Sequence, residues 1–272
     1  VTWRFDKLQA DSEYTYAITH QGRAVTQADN QRIRTAPPIN KLARTVLGMG
    51  SCASSTQFFD VWTQIAANDI EALMLLGDTP YIDNRQLSVN RMRHREFLSI
   101  PTLAKMGAST PVWGTWDDHD FGGNDTDGKI SNKGVIRKVF MEYRAQTQFG
   151  DGKHGVYTKF RRGPVEVFMI DPRYFSQTEP SPVDSGKPTC LGKKQWNWLL
   201  QGLKQSTAPI KLLATGMIWD DKKNGEKDDW GTYAHEREAL FDFIGKNKIS
   251  GVVLIGGDIH VSRHLKYPMK DR

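Results

Sequence analysis

An α/β fold with helical layers is predicted for this 272-residue chain from three features. Short apolar runs recur, amphipathic segments of helical length separate most of them, and polar clusters stand at the carboxyl ends of the runs. The fold is expected to be partly mixed, because one pair of runs meets at a Gly163–Pro164 turn and reads as a hairpin.

Residues 1–38 follow a different rhythm. "WRFDKL", "EYTYAITHQGRAVTQADN" and "QRIRTAPP" alternate apolar and polar residues between turn signals, which reads as antiparallel strands. "YTYAI" has the pattern of the closing strands of an immunoglobulin- or fibronectin-like sandwich. Pro37 and Pro38 mark a boundary, so residues 1–38 are expected to be the end of an N-terminal β-domain and 39–272 a separate domain.

After that boundary "TVLGMG" predicts a buried strand, "TQFFDVWTQIAAND" a helix, "EALMLLG" a strand and "NRMRHREFLSIPTLAKM" mostly helix. "PVWGTW" predicts a strand, "NKGVIRKVFMEYRAQTQ" a helix and "GVYTKFRRGPVEVFMID" the hairpin. "GKKQWNWLLQGLKQS" is helical, "IKLLATG" a strand, "YAHEREALFDFIGKNK" a helix and "GVVLIGGD" a strand. Val1 opens without Met, basic leader or apolar signal core, and the chain stops soon after the last strand. The expectation is an internal piece of a longer protein whose final strands lie beyond Arg272.

Composition narrows the function classes. The 38% hydrophobic and 25% charged residues are those of a globular protein, and no apolar run reaches bilayer length. The net charge of +6 is scattered, with small clusters at Arg91, Arg93 and Arg95 and at Arg161 and Arg162. Without aromatic interleaving or a groove-reading motif it does not make a nucleic-acid binder. Cys52 and Cys190 are too few for a disulfide framework and lack zinc-knuckle spacing.

"TWDDHDFGGND", residues 115–125, packs four aspartates, a histidine and an asparagine into eleven positions. Carboxylates so close repel, and burying several together requires a cation. A solvated acidic turn explains the segment alone equally well. Its neighbours favour a metal: Ser51 and Cys52, Asp78, Asp117 to Asp120, Asp171, and Asp258 with His260 each follow a predicted strand. In α/β sheets ligands gather beyond the strands' carboxyl ends. A site of thiolate, phenol, carboxylates and few imidazoles is oxygen-rich: phenolate and thiolate favour ferric iron, and carboxylates suit calcium, magnesium or manganese. Two such cations would hold a phosphate and generate a hydroxide nucleophile near neutral pH, which predicts phosphoester hydrolysis.

"GSC" (50–52), "GDTPY" (77–81), "WDDHDFGGND" (116–125), "DPRYF" (171–175), "LGKKQWNWL" (191–199) and "GGDIH" (256–260), in this order, resemble the alkaline phosphatase D (PhoD-like) family. That family is a branch of the calcineurin-like metallophosphoesterases. The resemblance implies an α/β/β/α sandwich of two mixed sheets flanked by helices, with an N-terminal β-domain before it. It implies that Cys52, Asp78 and Tyr81 ligate Fe³⁺ and that Asp78 bridges to Ca²⁺, with Asn124, Asp258 and His260 completing the cluster; Mn²⁺, Mg²⁺ or Zn²⁺ are substitutes. Asp118 occupies the place of the superfamily's asparagine ligand, with Asp117 as the alternative. His119 matches the histidine that protonates the leaving group or steadies the transition state. Arg173 reads either as a bidentate phosphate grip or as a partner of Asp171. The family also implies a periplasmic or extracellular location and a small phosphate ester or phospholipid as substrate. Three activities follow as expectations: a phosphodiesterase and phosphomonoesterase, a phospholipase D-type enzyme, or a binding module without turnover. Trp196 and Trp198 read as core anchors, Cys190 as a free thiol in a loop, and the segments 82–90 and 176–189 as the pocket rim.

Overall fold

The computed structural model describes residues 2–25, 31–55 and 60–268. Two three-dimensional facts organise the main body: two sheets face each other, and each is covered on its outer side by helices. The first sheet is parallel in the order β5 (Leu47–Gly50), β6 (Ala72–Leu76), β7 (Val112–Thr115). The second runs β11 (Val252–Ile255), β10 (Ile210–Ala214), β9 (Val165–Met169), β8 (Thr158–Arg162), parallel except for β8, which forms the expected hairpin with β9.

Two-residue periodicity builds the layers. Leu73 and Leu75 of β6 point outward to Trp62, Phe97, Ile100 and Leu103 of the segments that form α1 (Asp60–Ala66), α2 (Leu87–Leu98) and α3 (Pro101–Gly107). Met74 and Leu76 point inward and meet Val165, Val167 and Met169 of β9 between the sheets. Phe168 and Ile170 face the other way, toward α6 (Gly192–Gln205) and α7 (Ala234–Lys246). Both central strands are therefore buried on two faces, which is why they read as continuous apolar runs. In α6 the buried Gln195, Trp196, Leu199, Gly202 and Leu203 trace one stripe at helical spacing. Cys190 is a free thiol in the loop before α6, as expected, and its side chain is fully buried in this core.

Helical periodicity located every long helix but not α4 (Asp118–Phe121), a single turn made by local hydrogen bonds. α5 (Lys133–Glu142) is shorter than "NKGVIRKVFMEYRAQTQ" suggested. The first four residues of "TQFFDVWTQIAAND", 56–59, lie outside the described residues, as do 26–30.

Ahead of the sheets, β1 (Glu13–Thr15) pairs with β4 (Arg32–Arg34), and β2 (Thr19–His20) with β3 (Arg23–Ala24), in separate two-stranded ladders. "WRFDKL" forms no strand: it has no paired neighbour, and isolated alternation does not hold a strand. This segment is tied to the main body by the Tyr16 hydroxyl, which donates to the Ala108 carbonyl at 2.8 Å, and by Arg161, which donates to the Ile39 carbonyl at 2.8 Å.

Candidate metal centre

Because β5, β6, β7, β9, β10 and β11 are mutually parallel within their sheets, each sheet delivers its loops at one carboxyl edge. The two edges touch. A methyl group on Gly216, beyond β10, would lie 2.6 Å from the Asp117 side chain beyond β7; one on Gly257, beyond β11, would lie 2.7 Å from Ser51 beyond β5. Glycine at these two points lets loops from different sheets close on one another.

Among the described residues, four groups of acidic, cysteine and histidine side chains bring ligand atoms within 4.8 Å of each other: Cys52–Asp78–His260, Asp78–Asp118–His119, Asp78–Asp117–Asp118–Asp258 and Asp118–Asp125–Asp228. Asp78 belongs to three of the four. Cys52 Sγ lies 3.6 Å from Asp78 Oδ2, and the Tyr81 hydroxyl 2.7 Å from His260 Nε2. Cys52, Asp78, Asp258 and His260 all have φ between 52° and 75°. Left-handed backbone at a non-glycine residue costs on the order of 1–3 kcal/mol and concentrates at functional sites. The Cys52 side opens into a cavity of about 1320 Å³ that also includes Ser51, Tyr81 and His260.

A family model described as "PhoD-like phosphatase" matches residues 47–271. The chain belongs to the PhoD-like phosphatase family. Alkaline phosphatase D of Bacillus subtilis (strain 168) is 28% identical over 309 residues, an alignment spanning 94% of this chain and 52% of that protein. The chain thus spans about half the length of this curated relative. A solved structure of PhoD superposes with a TM-score of 0.73 at 21% identity, covering 85% of this chain and 54% of that one. Purple acid phosphatase PPD1 from yellow lupin (Lupinus luteus) seeds superposes with a TM-score of 0.60 at 11% identity, covering 85% of this chain and 40% of the other. The fold is therefore the calcineurin-like two-sheet sandwich that the motifs implied.

Within this PhoD-like frame each aspartate of "DDHD" has its own environment. Asp117 is buried and accepts from Arg173 Nε at 2.5 Å. Asp118 Oδ2 accepts from the Asp125 backbone N–H at 2.7 Å, leaving Oδ1 buried without a hydrogen-bond partner. Asp120 turns back to accept the Asp117 N–H at 2.6 Å, closing the single turn of α4. His119 donates its backbone N–H to Asp78 Oδ1 at 3.3 Å, and its ring Nδ1 lies 2.5 Å from Asp83 Oδ1.

Arg173 is 1% exposed and its guanidinium is spent on carboxylates: besides Asp117 it reaches Asp228 Oδ2 at 3.1 Å and lies 3.7 Å from Asp118 Oδ1. Asp171, the alternative partner, instead accepts from the Trp116 indole and from the backbone N–H groups of Val156, Arg173 and Tyr174, fixing the loop that carries Arg173. Asn124 is exposed in the same Gly-rich loop. Of the expected rim segments, 82–90 supplies Asp83, and Ser176 and Gln177 line a recess with Arg173 and Asp125.

Three contributors escaped the sequence reading. Asp83 sits outside "GDTPY", and Asp228 and Lys222 belong to the run "DDKKNGEKDDW", which looks like solvated charge. Lys222 is buried, with its ammonium 2.7 Å from Asp228 Oδ1 and 2.8 Å from Asp258 Oδ2.

The electrostatics call for positive charge. Burial, then repulsion from Asp120 and Asp118, lifts the Asp78 carboxyl from 3.8 to about 9. Burial and the Asp78 charge push the Cys52 thiol up to about 12. Burial lifts Asp258 to about 6 against the pull of Lys222. Burial also raises Tyr81. An oxygen-rich donor set with orphaned carboxylate oxygens on Asp117 and Asp118 fits a hard cation, which would deprotonate these groups on binding.

This gives a stability test of defined sign. The folded Asp78 value lies above the unfolded one, so its contribution is fully present below about 3.8 and is lost as pH rises through about 9. Chelator-treated protein is therefore expected to lose Tm steadily across that window, with Asp258 adding to the loss up to about pH 6, and added calcium to flatten the curve. A Tm of metal-free protein that climbs with pH over the same range would contradict the burial of the Asp78 carboxyl among like charges.

Proposed function

We propose that the chain carries the catalytic centre of a metal-dependent phosphoester hydrolase acting on phosphodiesters and phosphomonoesters. The observation that carries this reading is the convergence of Cys52, Asp78, Asp118, Asp258 and His260 from both sheets on one point beside His119. Membership of the PhoD-like family and the likeness to alkaline phosphatase D support it. Cys52, Asp78, Tyr81 and His260 would hold Fe³⁺; Asp78, Asp118, Asn124 and Asp258 would hold Ca²⁺. Bound there, such cations supply Lewis acidity toward phosphoryl oxygens and make water nucleophilic near neutral pH.

The chain's own residues do the rest. His119 donates a proton to the departing alkoxide oxygen, and the Asp83 carboxylate at its Nδ1 holds the ring. Arg173 does not grip phosphate in this reading; it holds Asp117 and Asp228 in place. Residues 1–38 are the end of a β-domain that precedes the catalytic one, and the whole protein works in the periplasm or outside the cell. Among the described residues no helix is long and apolar enough to cross a membrane.

The deciding experiment combines elemental analysis and a visible spectrum of purified protein with assays on bis-p-nitrophenyl phosphate and p-nitrophenyl phosphate. Iron with calcium, a charge-transfer band from Tyr81 and Cys52, and release of p-nitrophenol are expected. Fully metal-loaded protein that hydrolyses neither ester would favour a binding module.

A further inference from the structure

Lys222 is an unusual cation to find at this place. Its side chain is 6% exposed, and its ammonium touches three carboxylates: Asp228 at 2.7 Å, Asp258 at 2.8 Å and Glu226 at 3.1 Å. It donates a hydrogen bond to Glu226 and ion-pairs with Asp228 Oδ1 and Asp258 Oδ2, two buried oxygens that have no hydrogen-bond partner. The main chain is fixed as firmly as the side chain. The Lys222 N–H donates to Asp229 Oδ2 at 2.8 Å, and the Lys222 carbonyl accepts from Arg263 Nη2 at 2.7 Å. Asp229 is itself buried and held by the Thr232 N–H, and Arg263 also donates to the Asp221 carbonyl. The neighbouring Lys223 is exposed, so the inward placement belongs to Lys222 alone of the pair.

The position matters because Asp258 also stands in the group Asp78–Asp117–Asp118–Asp258, and Asp228 in the group Asp118–Asp125–Asp228. One ammonium therefore joins the two acidic groups at the place where their edges meet. An internal cation there neutralises carboxylates that an external one would need, and it would repel a metal ion held by the same carboxylates.

We propose that Lys222 is a built-in counter-ion of the metal centre, occupying the position between Asp228 and Asp258 and thereby restricting how tightly and how many divalent cations the carboxylates bind. This rests on the metal-centre reading above. It makes Lys222 a positioning residue that sets metal affinity.

Calcium titrations by calorimetry test it on the parent protein, Lys222→Met, Lys222→Gln and Lys222→Arg. The two neutral variants are expected to bind calcium at least about tenfold more tightly, or to bind an additional equivalent, because a like charge has gone. Lys222→Arg keeps the charge and is expected to match the parent. Thermal unfolding gives a second readout: calcium should raise the Tm of the neutral variants more than that of the parent. A neutral variant that folds only with calcium supports the proposal, and one that calcium fails to rescue overturns it. Unchanged or weaker binding by both folded neutral variants also overturns it. A parent that binds no calcium overturns the metal-centre reading instead.

Discussion

Asp78→Asn is expected to empty the centre and lower kcat/KM by at least about 10³-fold while leaving the fold intact. The size of the effect follows from position. Asp78 is 1% exposed, belongs to three of the four ligand groups and, among the described residues, has no side-chain cation within ion-pairing distance, whereas Asp117, Asp118, Asp228 and Asp258 each have Arg173 or Lys222. It is thus the carboxylate with most to gain from a metal and the one whose charge no other residue replaces. Asparagine has the same shape and mimics the protonated acid that burial favours in the metal-free state. Metal-free stability should therefore hold or rise while iron and calcium content fall. Elemental analysis, Tm and turnover measured together separate these effects; a variant with undiminished metal and rate would sink the assignment.

Arg173→Met is expected to act in the opposite way, through stability first. It strips the guanidinium from Asp117, Asp118 and Asp228, three buried acids. Removing one partner of a buried ion network typically costs about 3–5 kcal/mol. In a domain of this size that corresponds to a Tm lower by roughly 6–20 °C. Arg173→Lys should recover only part of the loss, because a point charge cannot serve Asp117 through Nε and Asp228 through Nη2 at once. Thermal unfolding in chelator checks this. A Tm within about 2 °C of the parent would show that the guanidinium is not a structural counter-charge, and would return Arg173 to the role of phosphate ligand.

Some of this was visible in the sequence because local physics repeats. β6 and β9 read as apolar runs since both of their faces are buried, and α6 reads as a helix since one stripe is. Cys52, Asp78, Asp118, Asp258 and His260 could be picked out because each directly follows such a run. α4 was invisible, since a single turn made by Asp120 capping Asp117 has no period to detect. Asp83 and Lys222 were invisible for a different reason. Each meets its partner, His119 or Asp258, across 36 residues and between separate loops, so nothing adjacent in the chain signals the contact.

Strand and helix order, the family and the residue types at the strand ends were legible along the chain, because burial patterns and short motifs are properties of neighbouring residues. The tertiary structure alone decided which carboxylates share a cation, that Arg173 serves them as an internal counter-charge, and that Lys222 is buried among them. Those outcomes depend on two sheet edges closing at Gly216 and Gly257, where distance and dielectric, rather than sequence spacing, set the strength of every charge interaction.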